Sequence, residues 1–391
     1  MSTYQPSVFN QIFRLIQNHI TPLVGQLNKY AKTMNVQSLL KVLLFSQITW
    51  KDSLREIETA FECNITKLYH MWIKTKARST IAYWNNKVDA SVFEQLFYTL
   101  LSRYKSCFAN TGDSIWIPTV ILDSTLISLA LHQFSRAKHR TTKWGIRVHV
   151  WLELQDCIPR FILIKNAKKV DNIVAKQLVS DEKIKAWEII IFDRYYVDFN
   201  LRSMIDERKA FFTTRTKTNT DYVVIQEHNI HEAWVIKDAT IELLWHQWRK
   251  KYCKPLRIVR FYDSEQQRDF EFITNNFDLS AWTIAQSYKY RWRIEEFFRW
   301  IKQNLKIKSF LWTSENAVKN QIRVAMIYYL IMQYLRYTAK LWKNQILKLI
   351  RIIREKCLFS IGLSEIFVLC KSKSSLSLSS NIWPPWSLFD F

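Results

Sequence analysis

The sequence predicts an α/β protein: a sheet-based core carrying a β-rich insertion, preceded by a helical N-terminal domain and followed by a helical C-terminal region. Three observations lead there. Residues 1 to about 108 repeat apolar positions at helical spacing, the stretch after Trp116 switches to runs of strand length, and the chain beyond Lys308 is helical again to about Cys370. At 391 residues and 48% apolar content the chain has enough apolar material for a large core in two or three domains, and too much for disorder.

The elements follow in order. Val8-Phe-Asn-Gln-Ile-Phe-Arg-Leu-Ile and Ser38-Leu-Leu-Lys-Val-Leu-Leu-Phe carry helical apolar spacing. Ser53-Leu-Arg-Glu56 offers a capping box at the start of another helix. Ala77-Arg-Ser-Thr-Ile-Ala and Val92-Phe-Glu-Gln-Leu-Phe-Tyr complete a basic helical domain, 1–108, expected to bind DNA or to dimerise. Asn110-Thr-Gly-Asp-Ser is a turn-rich boundary. Trp116-Ile-Pro-Thr-Val-Ile-Leu-Asp123 is then an apolar run ending in an acid, and Ile146-Arg-Val-His-Val-Trp-Leu-Glu-Leu and Arg160-Phe-Ile-Leu-Ile-Lys alternate as strands. Val170 to Val179 reads as a helix, and Trp187-Glu-Ile-Ile-Ile-Phe-Asp193 as a second buried strand ending in an acid.

Three strands, a helix and a strand are the order of a ribonuclease-H-like core, whose first and fourth strands lie side by side. That core is expected over 114–209, with a β-rich insertion over 210–281, a further core helix over 282–310 and a helical region over 311–391. The insertion is read from Phe211-Phe-Thr-Thr-Arg, Tyr222-Val-Val-Ile, Thr240-Ile-Glu-Leu-Leu, Leu256-Arg-Ile-Val-Arg-Phe-Tyr and Phe270-Glu-Phe-Ile-Thr. The tail after Lys371 is Ser/Lys-rich and then Pro-Pro, which reads as mobile or loosely docked.

Net charge is +23, spread along the chain, so a polyanion is the expected partner and nucleic acid the first candidate; ribosome or membrane-surface binding fits charge alone. The six cysteines form no C-x-x-C pair and read as reduced, mostly buried thiols. Met1-Ser-Thr-Tyr-Gln-Pro lacks the basic-then-apolar pattern of an export signal, and the longest apolar run, Val324 to Met332, is too short to span a bilayer. A cytoplasmic protein is the expectation, with no membrane partner.

The chemistry concentrates on Tyr288-Lys-Tyr-Arg-Trp-Arg-Ile-Glu-Glu-Phe-Phe-Arg-Trp-Ile-Lys302. At about 100° per residue, a continuous helix places Tyr288, Arg291, Glu295 and Lys302 within roughly 60° of one another. Ile294, Phe297, Phe298, Ile301 and Leu305 form the apolar stripe beside them. Taken alone, this reads as an amphipathic surface helix with solvated charges. Together with Asp123 and Asp193, expected at equivalent ends of adjacent strands, Glu295 completes a set of hard oxygen ligands suited to two Mg²⁺ ions, with Mn²⁺ the alternative. Asp123 precedes Ser124-Thr125, so a cap or turn role is the competing reading; Asp171 and Asp198 rank below Asp193 because neither follows a buried strand as directly.

The spacing Y-x2-R-x3-E-x6-K resembles the motif of bacterial insertion-sequence transposases of the DDE type, the Y-R-E-K or IS4-like group. Further blocks resemble the family in order: Asp123-Ser-Thr, Arg136-Ala-Lys, Thr142-Lys143 with His149, Asp193-Arg-Tyr-Tyr-Val-Asp-Phe, Arg215-Thr-Lys217 and Thr313-Ser-Glu-Asn-Ala. The resemblance implies that Asp123, Asp193 and Glu295 are the catalytic, metal-binding triad. It implies DNA contacts from Tyr288, Arg291 and Lys302 near the cut, and from Lys143, His149, Arg215 and Lys217. The implied activity is metal-dependent cleavage and strand transfer at the terminal inverted repeats of an insertion sequence, joining them to target DNA, by a homodimer on double-stranded DNA in the nucleoid. A metal-dependent nuclease of the same fold and a catalytically inactive DNA-binding relative are the alternatives. The chain departs from the family at Tyr195, where many relatives have Gly in Asp-Arg-Gly-Tyr, and at Lys165-Asn-Ala-Lys-Lys-Val-Asp, where an acidic, His-containing run is usual.

Composition holds one anomaly: 4 Gly beside 17 Trp, the glycine share being far below the usual ~7%. Trp50, Trp72, Trp144 and Trp312 stand where turn chemistry or the resemblance calls for Gly. A source gene in which UGA specifies glycine accounts for both facts; Trp292 and Trp300 match the family motif and are expected to be genuine.

Overall fold

The structure is a computed structural model that describes residues 5–25, 28, 34–69, 77–108, 117–128, 145–166, 175–177, 179, 184–196, 198–216, 220–244, 252–307 and 314–372. The expected helix over Val170–Val179 lies largely outside these residues, as does nearly all of the Ser/Lys-rich tail.

Among the described residues six helices come first: α1 (Val8–Val24), α2 (Val36–Thr49), α3 (Leu54–Cys63), α4 (Ile65–Tyr69), α5 (Arg78–Lys87) and α6 (Ala90–Phe108). The Ser7 hydroxyl caps α1 by accepting from the Asn10 amide, and Val8, Phe9, Ile12, Phe13, Ile16 and Ile20 form its buried stripe. At α3 the Ser53 hydroxyl accepts from the Glu56 amide at 3.2 Å, as the capping box requires. The return bond goes one residue further back, from the Asp52 amide to Glu56 at 3.0 Å.

Nine strands follow among the described residues: β1 (Thr119–Ser128), β2 (Gly145–Glu153), β3 (Ile158–Asn166), β4 (Ile189–Phe192), then, after α7 (Phe199–Glu207), β5 (Phe211–Arg215), β6 (Tyr222–Glu227), β7 (Val235–Leu243), β8 (Leu256–Asp263) and β9 (Arg268–Thr274). They form one sheet in the order β3-β2-β1-β4-β5-β9-β8-β7-β6. The first and fourth strands are neighbours and parallel, as the sequence order led us to expect, with Leu122 opposite Phe192. β5 adds parallel to β4, and β9 joins antiparallel to β5, so the later strands extend the same sheet.

Both faces of the sheet are covered. Even-numbered Val120 and Leu122 of β1, with Ile190 and Phe192 of β4, pack in one cluster that also holds Phe199, Leu201 and Ile205 of α7. Odd-numbered Ile121 and Ile127, with Ile189 and Ile191, face the larger cluster built by the helices. This is the period-2 alternation of a strand buried on both sides.

The remaining helices are α8 (Ala281–Lys289), α9 (Trp292–Asn304), α10 (Glu315–Thr338), α11 (Ile346–Lys356) and α12 (Leu363–Lys371). The 24-residue α10 is buried nearly all round and packs against α2, α5, α6 and α11, joining early and late parts of the chain in one core. Fully buried Asn320 donates to the Asn85 and Val88 carbonyls, closing backbone groups left at the end of α5. Among the described residues no helix is long and apolar enough to cross a membrane. The cysteines are free, as expected, but Cys63, Cys107 and Cys253 are exposed and only Cys357 and Cys370 are buried.

The expected continuous helix through Tyr288 and Lys302 is two helices. α8 ends at Lys289, and Tyr290 and Arg291 form a tight turn through Tyr290 N–H to Ser287 and Arg291 N–H to Tyr288, three residues back rather than four. Tyr288 therefore sits on α8 and Glu295 and Lys302 on α9, with Arg291 at the joint.

Candidate active site

Asp123 lies within β1, not at its end, since the strand runs on to Ser128. The helix-cap reading is thereby removed: the carboxylate is in extended backbone and accepts from the adjacent Ser124 amide at 2.7 Å. Asp193 is the residue after β4. The parallel register that pairs Leu122 with Phe192 brings Asp123 and Asp193 next to each other. Parity puts both on the odd-numbered face, the face on which Ile294, Phe297, Phe298 and Ile301 of α9 pack. Glu295 in the first turn of α9 thus arrives from the helix layer.

Arg291 ties the acids together. It donates to Glu295 Oε1 at 2.5 Å and stands 3.6 Å from Asp193 Oδ2. Burial pushes the Asp123 carboxyl up to about 6; the Ser124 amide and Arg291 pull it down, and the charges of Asp193 and Glu295 push it further up. Three carboxylates therefore sense one another around a single guanidinium. Among the described residues no three acids, histidines or cysteines stand close enough to hold an ion as they are, and the cation between Asp193 and Glu295 is Arg291 itself. The donor chemistry nonetheless suits a hard divalent ion: oxygen-only ligands, and a buried acid whose ionised form a cation favours.

Tyr288 is only 7% exposed, its ring tilted on Phe272 with centroids 4.9 Å apart. Burial pushes its hydroxyl up to about 12, with Arg291, Asp193, Arg215 and Arg194 the charged groups around it. Lys302 lies on α9 seven residues past Glu295, about two turns along the helix. Arg215 ends β5 on the same face of the sheet as the acids.

His149 is a correction. It lies opposite Ser124 in β2 and is 1% exposed, so it cannot reach DNA from this position. Its neighbour in parity, Trp151, belongs to the cluster on the second face, a cover that the resemblance implying a DNA contact does not reveal. Lys143 and Lys217 lie outside the described residues, as do Trp72, Trp144, Trp312 and Asp171. Asp198, the lower-ranked acid, is the N-cap of α7, accepting from the Asn200 and Leu201 amides. Two cations escaped the sequence reading: Arg194, which directly follows Asp193, and Arg268, at the start of β9 beside Arg215.

The chain matches the family described as Transposase DDE domain over residues 117–331, and a domain of unknown function, DUF4372, over residues 4–74. It is 25% identical to the probable transposase for insertion sequence element IS5377 of Geobacillus stearothermophilus, covering 88% of this chain and 89% of that one. It is 34% identical over 227 residues to the putative transposase y4zB of Sinorhizobium fredii (56% and 61% covered). It is also 23% identical to the putative transposase for insertion sequence element IS4SA of Synechocystis (66% and 71%). Among solved structures, a piggyBac transposase synaptic complex with hairpin DNA aligns over 94% of this chain and 80% of that one, with TM-score 0.41 and 9% identity. The acids at 123, 193 and 295 all lie within the family match, which spans more than half the chain, and the protein belongs to the DDE-domain transposases of bacterial insertion sequences.

Proposed function

We propose that this transposase cuts DNA at the terminal inverted repeats of its own insertion sequence and joins the freed ends to target DNA, by the cut-and-paste route. The observation that carries the reading is the convergence of Asp123, Asp193 and Glu295 from two adjacent strands and a helix, with Arg291 between the last two. The Y-R-E-K spacing supports membership of the IS4-like group, and the strand order supports a ribonuclease-H-like core. The basic helical segment 1–108 suits binding of the element's ends, and two ends held together imply a homodimer on DNA.

Two Mg²⁺ ions held by the three carboxylates would activate the attacking hydroxyl and neutralise charge at the scissile phosphate. The chain's own residues do the rest. Arg291 balances the acids and is placed to turn toward a phosphate oxygen, for which a guanidinium fork is well matched. Tyr288, packed on Phe272, fixes one wall with its hydroxyl toward Asp193 and the arginines. Lys302 and Arg215 extend positive charge to either side. Positioning and charge stabilisation, without a covalent protein intermediate, account for this kind of catalysis.

The test is Mg²⁺-dependent cleavage of DNA carrying the element's terminal repeats. Wild type should cut at the repeat ends and Asp193→Ala should not. Equal behaviour of the two proteins rejects the catalytic assignment and leaves a DNA-binding relative; cutting without strand transfer selects the nuclease.

A further inference from the structure

The face of the sheet that carries the acids continues across β5 and β9 as a line of aromatic rings flanked by arginines. Arg268, Phe270 and Phe272 alternate along β9 and share that face. The guanidiniums of Arg215 and Arg268 each lie 4.6 Å from the centre of the Phe270 ring. Phe270 stacks on Phe272, 6.2 Å away, and Phe272 meets Tyr288. Arg194 and Arg268 both repel Arg215, so three cations crowd one strip of surface.

Other cations on or beside these strands are paired. Arg260 on the opposite face pairs with Asp269 at 2.7 Å, and Lys289 with Glu265 at 3.0 Å. Among the described residues none of Arg194, Arg215 and Arg268 is within ion-pair distance of a carboxylate; Arg268 donates to Gln266, and Arg194 and Arg215 lie on aromatic rings. Asp193 offsets part of this repulsion at Arg215 from beyond ion-pair distance, and like charges gathered with no carboxylate in direct contact cost the fold energy unless an anion completes them. Contact with the rings limits the freedom of the guanidiniums, which prepares them for contact with phosphate.

We propose that Arg194, Arg215 and Arg268 form a phosphodiester-binding strip that leads a DNA strand away from the acids along the β5–β9 face. This rests on the transposase reading above. The test is binding of a fluorescein-labelled, non-specific DNA duplex to the full chain in EDTA, so that no cleavage intervenes, with inorganic phosphate as competitor. Arg215→Gln and Arg268→Gln should each weaken binding about 3–10-fold and lower the slope of log K against log salt by about 1. Arg268→Lys should keep most of the slope, Arg260→Gln should match wild type, and millimolar phosphate should not displace the duplex. Wild-type binding that Arg268→Gln leaves unchanged, or that Arg260→Gln weakens equally, overturns the strip alone. Displacement by millimolar phosphate makes it a free-anion site and overturns it too. A wild-type chain that binds no DNA overturns the transposase reading with it.

A separate observation concerns the backbone. Among the described residues seven other than glycine have positive φ, and three of them are tryptophans: Trp50 at 57°, Trp187 at 68° and Trp234 at 74°. No described glycine has positive φ. A bulky side chain in the left-handed region is an outlier, and glycine is the residue that occupies it freely. Trp50 ends α2 where Trp50 N–H and Lys51 N–H both return to Ser46, the helix stop that glycine dominates. Trp187 and Trp234 sit in turns with 64% and 53% exposure, so burial gives neither a reason to be tryptophan.

The geometry assigns glycine to positions 50, 187 and 234 in the protein as it is synthesised, read from UGA, adding two positions to those the sequence raised. Trp151, fully buried in β2, is assigned as genuine. The gene should carry UGA at 50, 187 and 234 and UGG at 151, and peptide masses from the native host should show glycine at the first three. UGG codons at 50, 187 and 234 overturn the assignment, as does tryptophan mass at those positions.

Discussion

Arg291 donates to Glu295 at 2.5 Å, and the same guanidinium stands 3.6 Å from Asp193. A protein cation thus fills the role that a divalent ion would take among these acids, which makes the ion and the arginine competitors. In Arg291→Gln the acids lose their countercharge, and Mn²⁺ should bind the DNA-free protein at least threefold more tightly by titration calorimetry. Cleavage should fall by about 10²-fold, the cost of losing one well-placed donor to the transition state. Unchanged or weaker Mn²⁺ binding would show that the arginine does not hold the metal's place.

Asp123 ties activity to stability through pH. Its folded pKa of about 6 is above the ordinary 3.8, so the folded state disfavours the charged form. That penalty is absent below about pH 4 and grows as pH rises through 6. Asp123→Asn should therefore raise the unfolding midpoint at pH 7.5, by up to about 3 kcal/mol at about 1.4 kcal/mol per pKa unit. The gain should shrink as pH falls from 6 to 4, while cleavage is lost at every pH. A midpoint difference that does not change with pH would refute the assignment.

The strands of the sheet were legible because strand signals are local, although β1 runs five residues past the acid at which the sequence was expected to end it. Alternating residues announce β2 and β3, and apolar runs meeting an acid announce β1 and β4. What stayed hidden depends on what lies across space. The joint at Tyr290-Arg291 carries no Pro or Gly, so the residues there signal no break. The burial of His149 stayed hidden because alternation cannot say whether the second face is covered. Arg268 sits fifty-three residues after Arg215 in sequence, and only the β5–β9 pairing brings them to one ring.

The Arg257–Asp238 pair fastens β8 to β7 with two hydrogen bonds, at 2.8 and 2.6 Å, and both side chains are buried. Burial alone raises the Asp238 carboxyl, but the Arg257 bonds and charge, with His228 beside it, bring it below its ordinary value. A depressed folded pKa contributes stability above pH 3.8 that is lost as pH falls through it. Asp238→Asn should cost about 3 kcal/mol at pH 7, since it strands a buried guanidinium. Denaturant midpoints of mutant and wild type should converge progressively as pH falls below 3.8. A difference that stays constant as pH is taken down through 3.8 and on to acid unfolding would place the loss in packing rather than charge.

Tyr288 separates positioning from packing. Its ring rests on Phe272 and its side chain is nearly enclosed, while its hydroxyl faces the charges of Arg291 and Asp193. Tyr288→Phe keeps the ring and removes only the oxygen, so thermal unfolding should match wild type within about 0.5 kcal/mol, as for a change that creates no cavity. DNA cleavage should nevertheless fall at least tenfold, with the loss in kcat rather than KM, because the hydroxyl acts on the geometry of Arg291 beside the acids. Tyr288→Ala should lose stability as well, by about 3–5 kcal/mol, the range for emptying a buried aromatic site. If Tyr288→Phe cuts DNA at the wild-type rate, the phenol is a packing group and the polar wall of the site is Arg291 alone.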